Sequence, residues 1–501
     1  MALLPLLCCE IYCLLEGHHI TDIYLPASSW NDELFYYKQV ESIVKYGYPY
    51  GYFGFNESYA RVLSFAAWSP VLLWPWILWG LIFGWNLMSP IYCNIFVMMI
   101  AFFLFAWLVQ TDWKQCTGVA VLCAVFPLFS RYTMSAMAES TCFAMLIVFW
   151  GVAYSYYQKE SMGKLTGMFI ISVIMTLMRP YLIIFLTLPM LILIWKKKWK
   201  GLIGSLGIAT ATVIMYACIK YFLSAYYFTS LYDMSWITNF LRYGFGEGLR
   251  MLVEKFISSL ANFWVYCQQG LTQGLMTGTF MIIFMVILVL LIVYEGYCFR
   301  KKEWKETILY GHLIFSFVAM WIALLLMYKI QESGRHLLAF IVLGFFALSM
   351  MKLKGHWQIF LSGAVVIYLY FFTVLNTDDY ELGFATDELV QTIEQTREIL
   401  EENLTLQTEE APNFDNDVIW VLADYDSGEE NWLVTDYQLL YSLPAGFGIS
   451  CCDAEYVLSS FDELQSKYIC TVLGGQIDEL CQERGLTVVA KGLNAVIYQL
   501  R

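Results

Sequence analysis

LTGMFIISVIMTLMRPYLIIFLTLPMLILIW, residues 165–195, decides the fold class. Its thirty-one residues carry one charge, Arg179, followed at once by Pro180. As a single helix the stretch would be about 46 Å long, against a hydrocarbon core of about 30 Å. Proline lacks the amide a helix interior needs, and its ring clashes with the preceding turn. The stretch therefore reads as two short apolar helices, with Arg179 at the tip of a hairpin.

Working outward, similar runs recur at 89–109, 141–157, 201–228, 274–294, 307–328 and 357–375, with shorter ones at 1–15, 116–130 and 337–351. The whole chain of 501 residues is 59% hydrophobic and 14% charged. A soluble domain has about 25% charged residues, so soluble, disordered and disulfide-stapled classes are excluded. Residues 62–85 are apolar too, but hold Trp68, Pro70, Trp74, Pro75, Trp76 and Trp79, an aromatic density that suits the membrane interface. The first run, Met1–Leu15, would span about 22 Å as a helix. It contains Glu10 and lacks a positive leader, so it reads as a thin tilted helix or as the remainder of a start lying upstream.

The net charge of −13 is segregated. Residues 376–501 hold 25 of the 42 acids and 5 of the 29 bases, a net −20, while residues 1–375 are net +7. With the N-terminus inside and 165–195 a hairpin, Lys114, Lys159, Lys164, Lys196–Lys198, Lys200, Arg300–Lys302, Lys305, Lys352 and Lys354 all fall in short inner loops. Positive charge is retained on the cytoplasmic side. The chain is thus expected to be an α-helical polytopic membrane protein of about eleven spans over 1–375, with the first outer loop at 16–88. A small extracytoplasmic α/β domain is expected over 376–501. A competing count, in which 62–85 spans and 165–195 is one tilted helix, also gives eleven spans but retains fewer bases inside.

Three outer stretches carry candidate chemistry. In Asn31-Asp32-Glu33-Leu34-Phe35-Tyr36-Tyr37 two adjacent carboxylates lie just outside the first span. A carboxylate near a low-dielectric interface holds a proton more readily and can act as general base towards a hydroxyl; the same residues also read as the cap of an amphipathic helix over 33–46. In Ser130–Glu139, continuous helix would put Arg131, Ser135 and Glu139 on one face at i, i+4 and i+8. In Tyr328–Leu338, Glu332, Arg335 and His336 fall within five residues. Arginine offers a permanent bidentate fork for phosphate, although interfacial bases also snorkel. Arg179 is a further phosphate candidate. Residues 229–273 read as an interfacial cover for a donor channel.

Asp32-Glu33 after the first span resembles the acidic pair of the protein O-mannosyltransferases, within the GT-C superfamily of membrane glycosyltransferases. Gly47–Gly54 and the run 62–85 are similar to the juxtamembrane helices of that family's first outer loop. Arg335-His336 resembles the family's arginine motif at the donor phosphate, with His336 where tyrosine is commoner and no proline after Leu338. The resemblance implies a polyprenyl-phosphate-linked sugar donor and transfer to an extracytoplasmic glycan, lipid or protein. It implies catalytic roles for Asp32, Glu33 and Glu139, and phosphate binding by Arg335, His336, Arg179 and Arg131. No cofactor is required; a divalent metal could be shared if Asp32 and Glu139 meet. A lipid-linked glycan flippase should show internal repeats and polar residues at mid-membrane; no repeat is evident. A glycan polymerase or ligase would share the layout and differ in its acceptor.

In the tail, Thr386–Glu402 reads as an amphipathic helix. Val418–Ala423, Tyr468–Leu473, Leu486–Ala490 and Ala495–Leu500 read as strands, and Ile477–Arg484 as a helix stopped by Gly485. Asp424–Glu430 reads as a solvated turn. Cys451, Cys452, Cys470 and Cys481 could form one or two disulfides. A net −20 argues against nucleic acid.

Overall fold

The computed structural model describes residues 1–23, 25, 31–47, 49, 54–56, 65, 69–223, 233, 235–328, 334–352, 363, 382–384, 387–403, 432–436, 439, 441–445 and 449–500. The expected span 357–375, the strand Val418–Ala423, the turn Asp424–Glu430, Glu332 and most of Gly47–Gly54 lie outside the described residues.

Helices dominate the first 350 residues. They are α1 (Leu4–Leu15), α2 (Asn31–Tyr46), α3 (Trp74–Phe83), α4 (Ser89–Val109), α5 (Trp113–Ala124), α6 (Pro127–Thr133), α7 (Glu139–Gln158), α8 (Met162–Met178), α9 (Thr187–Trp195), α10 (Trp199–Leu223), α11 (Ser235–Tyr243), α12 (Phe245–Gln273), α13 (Met276–Lys301), α14 (Trp304–Met327) and α15 (Leu338–Ser349). Among the described residues five of these, α4, α7, α10, α13 and α14, are long and apolar enough to cross a membrane. The pair α5–α6, bent by 79°, would make a sixth. At ten residues α3 is about 15 Å long, too short to span. Its exposed Leu78, Leu81, Ile82 and Phe83 give it an apolar outer face.

The break at Arg179 is real: the residue has extended backbone between α8 and a 3-10 turn, Pro180–Leu186, that leads into α9. Lys196 pairs with Glu160, and Lys198 donates to the Met162 sulfur. The two open ends of 162–195 are therefore together and Arg179 sits at the tip. Further contacts gather at the same end: Gln158 to the Val109 carbonyl, Lys305 to the Tyr157 carbonyl and Lys352 to Glu306. The lysine-rich turns thus form one end of the helical body. At the other end α12 returns tightly into α13, where a Cβ on Gly278 would lie 1.9 Å from the Tyr266 carbonyl oxygen.

The helical continuity expected across Arg131, Ser135 and Glu139 is not there. α6 ends at Thr133 and α7 starts at Glu139, so the i, i+4, i+8 argument fails. Asn94 on α4 explains why the break is tolerated in a buried place. Its amide donates to the carbonyls of Thr133 (3.2 Å) and Ser135 (2.8 Å), while its oxygen accepts from Trp76 Nε1 (2.8 Å). Non-helical backbone at membrane depth persists only where such partners exist.

The tail contributes α16 (Asp387–Asn403), α17 (Ala454–Ser460) and α18 (Gln476–Glu483) around a six-stranded sheet. Its strands are β1 (Gly54–Phe55), β2 (Trp432–Val434), β3 (Ile449–Cys451), β4 (Tyr468–Val472), β5 (Thr487–Lys491) and β6 (Ala495–Gln499), in the order β1-β3-β2-β4-β6-β5. The first four positions pair in parallel and the last two joins are antiparallel. α18 closes with a Schellman motif, in which Leu486 N–H bonds the Cys481 carbonyl, Gly485 N–H bonds the Gln482 carbonyl and Gly485 has φ +69°. β1 belongs to the first outer loop, so the sheet is built from both parts of the chain.

The four tail cysteines are free, buried thiols. Cys451 and Cys470 both register with Val434, one from each side. Two strand spacings of about 4.8 Å put them beyond the ~7 Å reach of a disulfide.

Candidate functional site

α2 organises the site because its faces do different work. At 100° per residue, Asp32, Tyr36 and Gln39 share one face, and Lys38 and Glu41 point the opposite way. On the first face Asp32 Oδ2 meets Arg335 Nη2 at 2.7 Å. Arg335 and His336 lie in the 3-10 turn Gly334–Leu337 that opens α15, so both project from the start of a helix. A second ion pair lies beside the first. Glu139, at the start of α7, meets Arg179 Nη2 at 2.5 Å, and Arg179 Nη1 donates to His336 Nδ1 (2.8 Å) and to the Tyr181 hydroxyl (3.2 Å). Since a guanidinium can only donate, Nδ1 must be the acceptor and His336 carries its proton on Nε2. The rings of Tyr181 and Tyr328 flank that imidazole at 5.7 and 5.1 Å. Arg131, fully buried in α6, has the charge of Glu33 as its principal counter-charge.

Asp32, Glu33, Glu139, Arg131, Arg179, Arg335 and His336 are thereby brought together by five separate elements. Three carboxylates meet three guanidiniums. The pairs differ in access: the Asp32 and Arg335 side chains are 27% and 28% exposed, whereas Arg179 and Glu139 are shut in. Among the described residues, Glu139 Oε2 and Arg335 Nε are buried with no hydrogen-bond partner. Tyr36 and Tyr132 line the same space, since the charges of Glu139, Arg335 and Arg179 all act on both phenols. Burial first, then the charges of Asp32 and Glu139, push the Tyr36 phenol far up, so it stays a neutral donor. These tyrosines were not singled out from the sequence; the signal was the four-residue spacing of Asp32 and Tyr36.

The other face of α2 is clasped by the tail. Lys38 Nζ donates to Glu41 Oε2 (2.5 Å) and to the Leu443 carbonyl (2.5 Å), and Arg397 on α16 bonds both Glu41 and that same carbonyl. Lys45 pairs with Glu401 at 2.7 Å, and the Tyr46 hydroxyl donates to the Ala445 carbonyl. Burial pushes Lys38 down to about 8. Burial would raise Glu41, but Lys38 and Arg397 outweigh it and hold the carboxyl below its ordinary range. Apart from the i, i+3 spacing of Lys38 and Glu41, nothing local in the sequence marks this cluster, whose other contacts join positions some 360 to 400 residues apart.

Asp32 and Glu139 each face an arginine. The one cluster of metal-ligand type among the described residues, Cys298, Glu303 and Glu306, lies at the lysine-rich end, where Glu306 is bonded by Lys352.

The fold and site define a polytopic helical membrane protein with a cluster of arginines and carboxylates at one end. No protein family and no curated protein sequence matches the chain. Among solved structures it is similar to an Archaeoglobus fulgidus oligosaccharyltransferase crystallised with zinc and sulfate, at 13% identity and TM-score 0.49, over 94% of this chain and 68% of that one. It is similar to the same organism's AglB in complex with an inhibitory peptide and a dolichol-phosphate, at 12% and 0.48, over 94% and 69%. It is also similar to ArnT from Cupriavidus metallidurans bound to undecaprenyl phosphate, at 9% and 0.42, over 99% and 96%. Overlaps this slight do not assign an activity.

Proposed function

We propose that the protein is an integral membrane glycosyltransferase. It would take a hexose or pentose from a polyprenyl-phosphate-linked donor and attach it to an extracytoplasmic glycan, lipid or protein. The observation that carries this reading is the pairing of Asp32 with Arg335 beside the enclosed Glu139–Arg179–His336 chain. The chamber lies opposite the lysine-rich end, and the positive-inside rule assigns that end to the cytoplasm. On that orientation the charged cluster would face the outer leaflet, within reach of a lipid phosphate.

Arg335 is the exchangeable partner. An arriving phosphate competes for its guanidinium, which frees Asp32 to accept a proton from the acceptor hydroxyl. The acceptor oxygen bonds the anomeric carbon, the bond from that carbon to the phosphate oxygen breaks, and its electron pair leaves with the polyprenyl phosphate. Arg335 and Arg179, fixed before the reaction, stabilise that developing charge. His336 Nε2–H is a further donor to it. Glu139 holds Arg179 in place, and Glu33 balances Arg131.

The test is transfer by purified protein from a panel of radiolabelled polyprenyl-phosphate sugars to membrane glycans. Transfer surviving Asp32→Asn and Glu33→Gln together removes the assigned chemistry. Exchange of donor across the bilayer without any transfer makes the protein a carrier.

A further inference from the structure

Gln39 is the least expected residue on α2. Its side chain is wholly inaccessible, at 0% exposure, yet neither Nε2 nor Oε1 has a hydrogen-bond partner. An unsatisfied buried polar group is destabilising, and this amide leaves two. A leucine or methionine at the position would fill the space without that cost. Residues that break a local rule in this way are expected at functional or strained sites.

Its direction follows from the helix. Gln39 comes seven residues after Asp32 and three after Tyr36, on the face that Asp32 and Tyr36 turn towards Arg335 and Glu139. The opposite face, with Lys38 and Glu41, is occupied by the tail, so the amide does not serve the clasp. Seven residues of helix rise about 10 Å. Gln39 is therefore too far from Asp32 to take part in bond breaking, and its distance suits a remote part of a substrate.

We propose, building on the glycosyltransferase reading, that Gln39 is a specificity-determining residue that hydrogen-bonds a pair of sugar hydroxyls on the bound substrate. The amide presents a donor group, the Nε2 hydrogens, and an acceptor, Oε1, on the same carbon. Neighbouring hydroxyls match both, since each can donate and accept. A phosphate or carboxylate would satisfy Nε2 alone and leave Oε1 orphaned, which excludes the anionic end of the donor. The hydroxyls can come from the donor sugar or from a glycan acceptor, and the chemistry is the same.

The experiment compares the wild-type chain with Gln39→Met, close in size and without polar atoms. Binding is measured for undecaprenyl phosphate, for the same lipid carrying mannose, glucose or galactose, and for free mannobiose and maltose; thermal unfolding is measured alongside. The variant is expected to melt at the same or a higher temperature. It should bind sugar-bearing probes about tenfold more weakly, as the loss of about 1.4 kcal/mol, and sugar-free lipid as before. Weakening confined to the lipid sugars assigns the donor, and weakening confined to the disaccharides assigns the acceptor. In turnover, KM for that substrate should rise more than kcat falls. Equal binding of every probe by the two proteins overturns the proposal, as does a wild type that binds no sugar-bearing probe better than undecaprenyl phosphate. Sugar-dependent binding through Gln39 in a protein that transfers nothing would instead remove the enzyme reading and leave this one standing.

Discussion

Glu41→Gln is the sharpest test of how α2 is held. In the native protein Glu41 faces a buried Lys38 and a part-buried Arg397, and both cations also donate to the Leu443 carbonyl. Lys38 is already disfavoured as a cation, since burial lowers it from 10.5 to about 8 with Glu41 in place. That displacement corresponds to about 3 kcal/mol. Removing the acid leaves the enclosed Lys38 beside a part-buried Arg397 and takes away the attraction that offsets their desolvation. Breaking a buried pair by removing one partner costs about 3–5 kcal/mol, and that is the expected loss at pH 7. The loss has a characteristic pH dependence. Without Glu41 the Lys38 pKa falls further below 8, so the lysine sheds its proton in the fold while the unfolded chain still holds its own. The unfolded state then binds more protons, stability rises with pH, and the deficit of the variant shrinks between pH 7 and pH 9. Lys38→Met in the Glu41→Gln background removes one of the two cations and should recover most of the loss. Denaturant unfolding of the purified protein in detergent at pH 7 and pH 9, with the double-mutant cycle, reads all three quantities. A deficit below about 1 kcal/mol, the scale of an exposed pair, would refute the reasoning; so would one equal at both pH values, or one left unchanged by Lys38→Met.

Three further outcomes follow from the geometry. Arg179→Met strands Glu139 in a closed site and should cost about 3–5 kcal/mol in unfolding experiments; Arg335→Met breaks a pair more than a quarter exposed and should cost under about 1 kcal/mol while raising KM for a lipid-phosphate donor. Gly278→Ala drives a methyl into the Tyr266 carbonyl and should separate α12 from α13, measurable as a lowered melting temperature with new protease sites near 270–275. Cys481, pushed up to about 12 by burial, and Cys451 and Cys470, also raised by burial, should resist an aqueous maleimide at pH 7 until the tail is unfolded, with Cys451 and Cys470 forming no crosslink under mild oxidant.

Local chemistry was legible and distant pairing was not. Arg179-Pro180 announces a helix break because proline removes a bond that no neighbour can supply. The charged residues of the chamber stand out in sequence because ionisable groups beside apolar runs are rare. Ser135 misled: its place midway between Arg131 and Glu139 suits a helix, but Asn94, some forty residues earlier, bonds the carbonyls that a break exposes. β2 and β3, three residues each, are too short to carry an alternating pattern. Of the clasp only the i, i+3 pair of Lys38 and Glu41 is visible locally; Arg397 and the Leu443 carbonyl, which complete it, come some 360 to 400 residues later.

The register of β1 bears on how the molecule is made. Gly54 pairs with Ser450 and Phe55 with Cys451. About four hundred residues must therefore be synthesised after the first outer loop before its strand has a neighbour, roughly 20–80 s at ribosomal rates. Once synthesis has passed His336, the helix bearing Asp32 has its membrane-side partners but still lacks the clasp that fixes its other face. Assembly of the chamber would then be the last event of biosynthesis, and a ribosome stalled before 432 would leave inserted helices around an unfinished, inactive site.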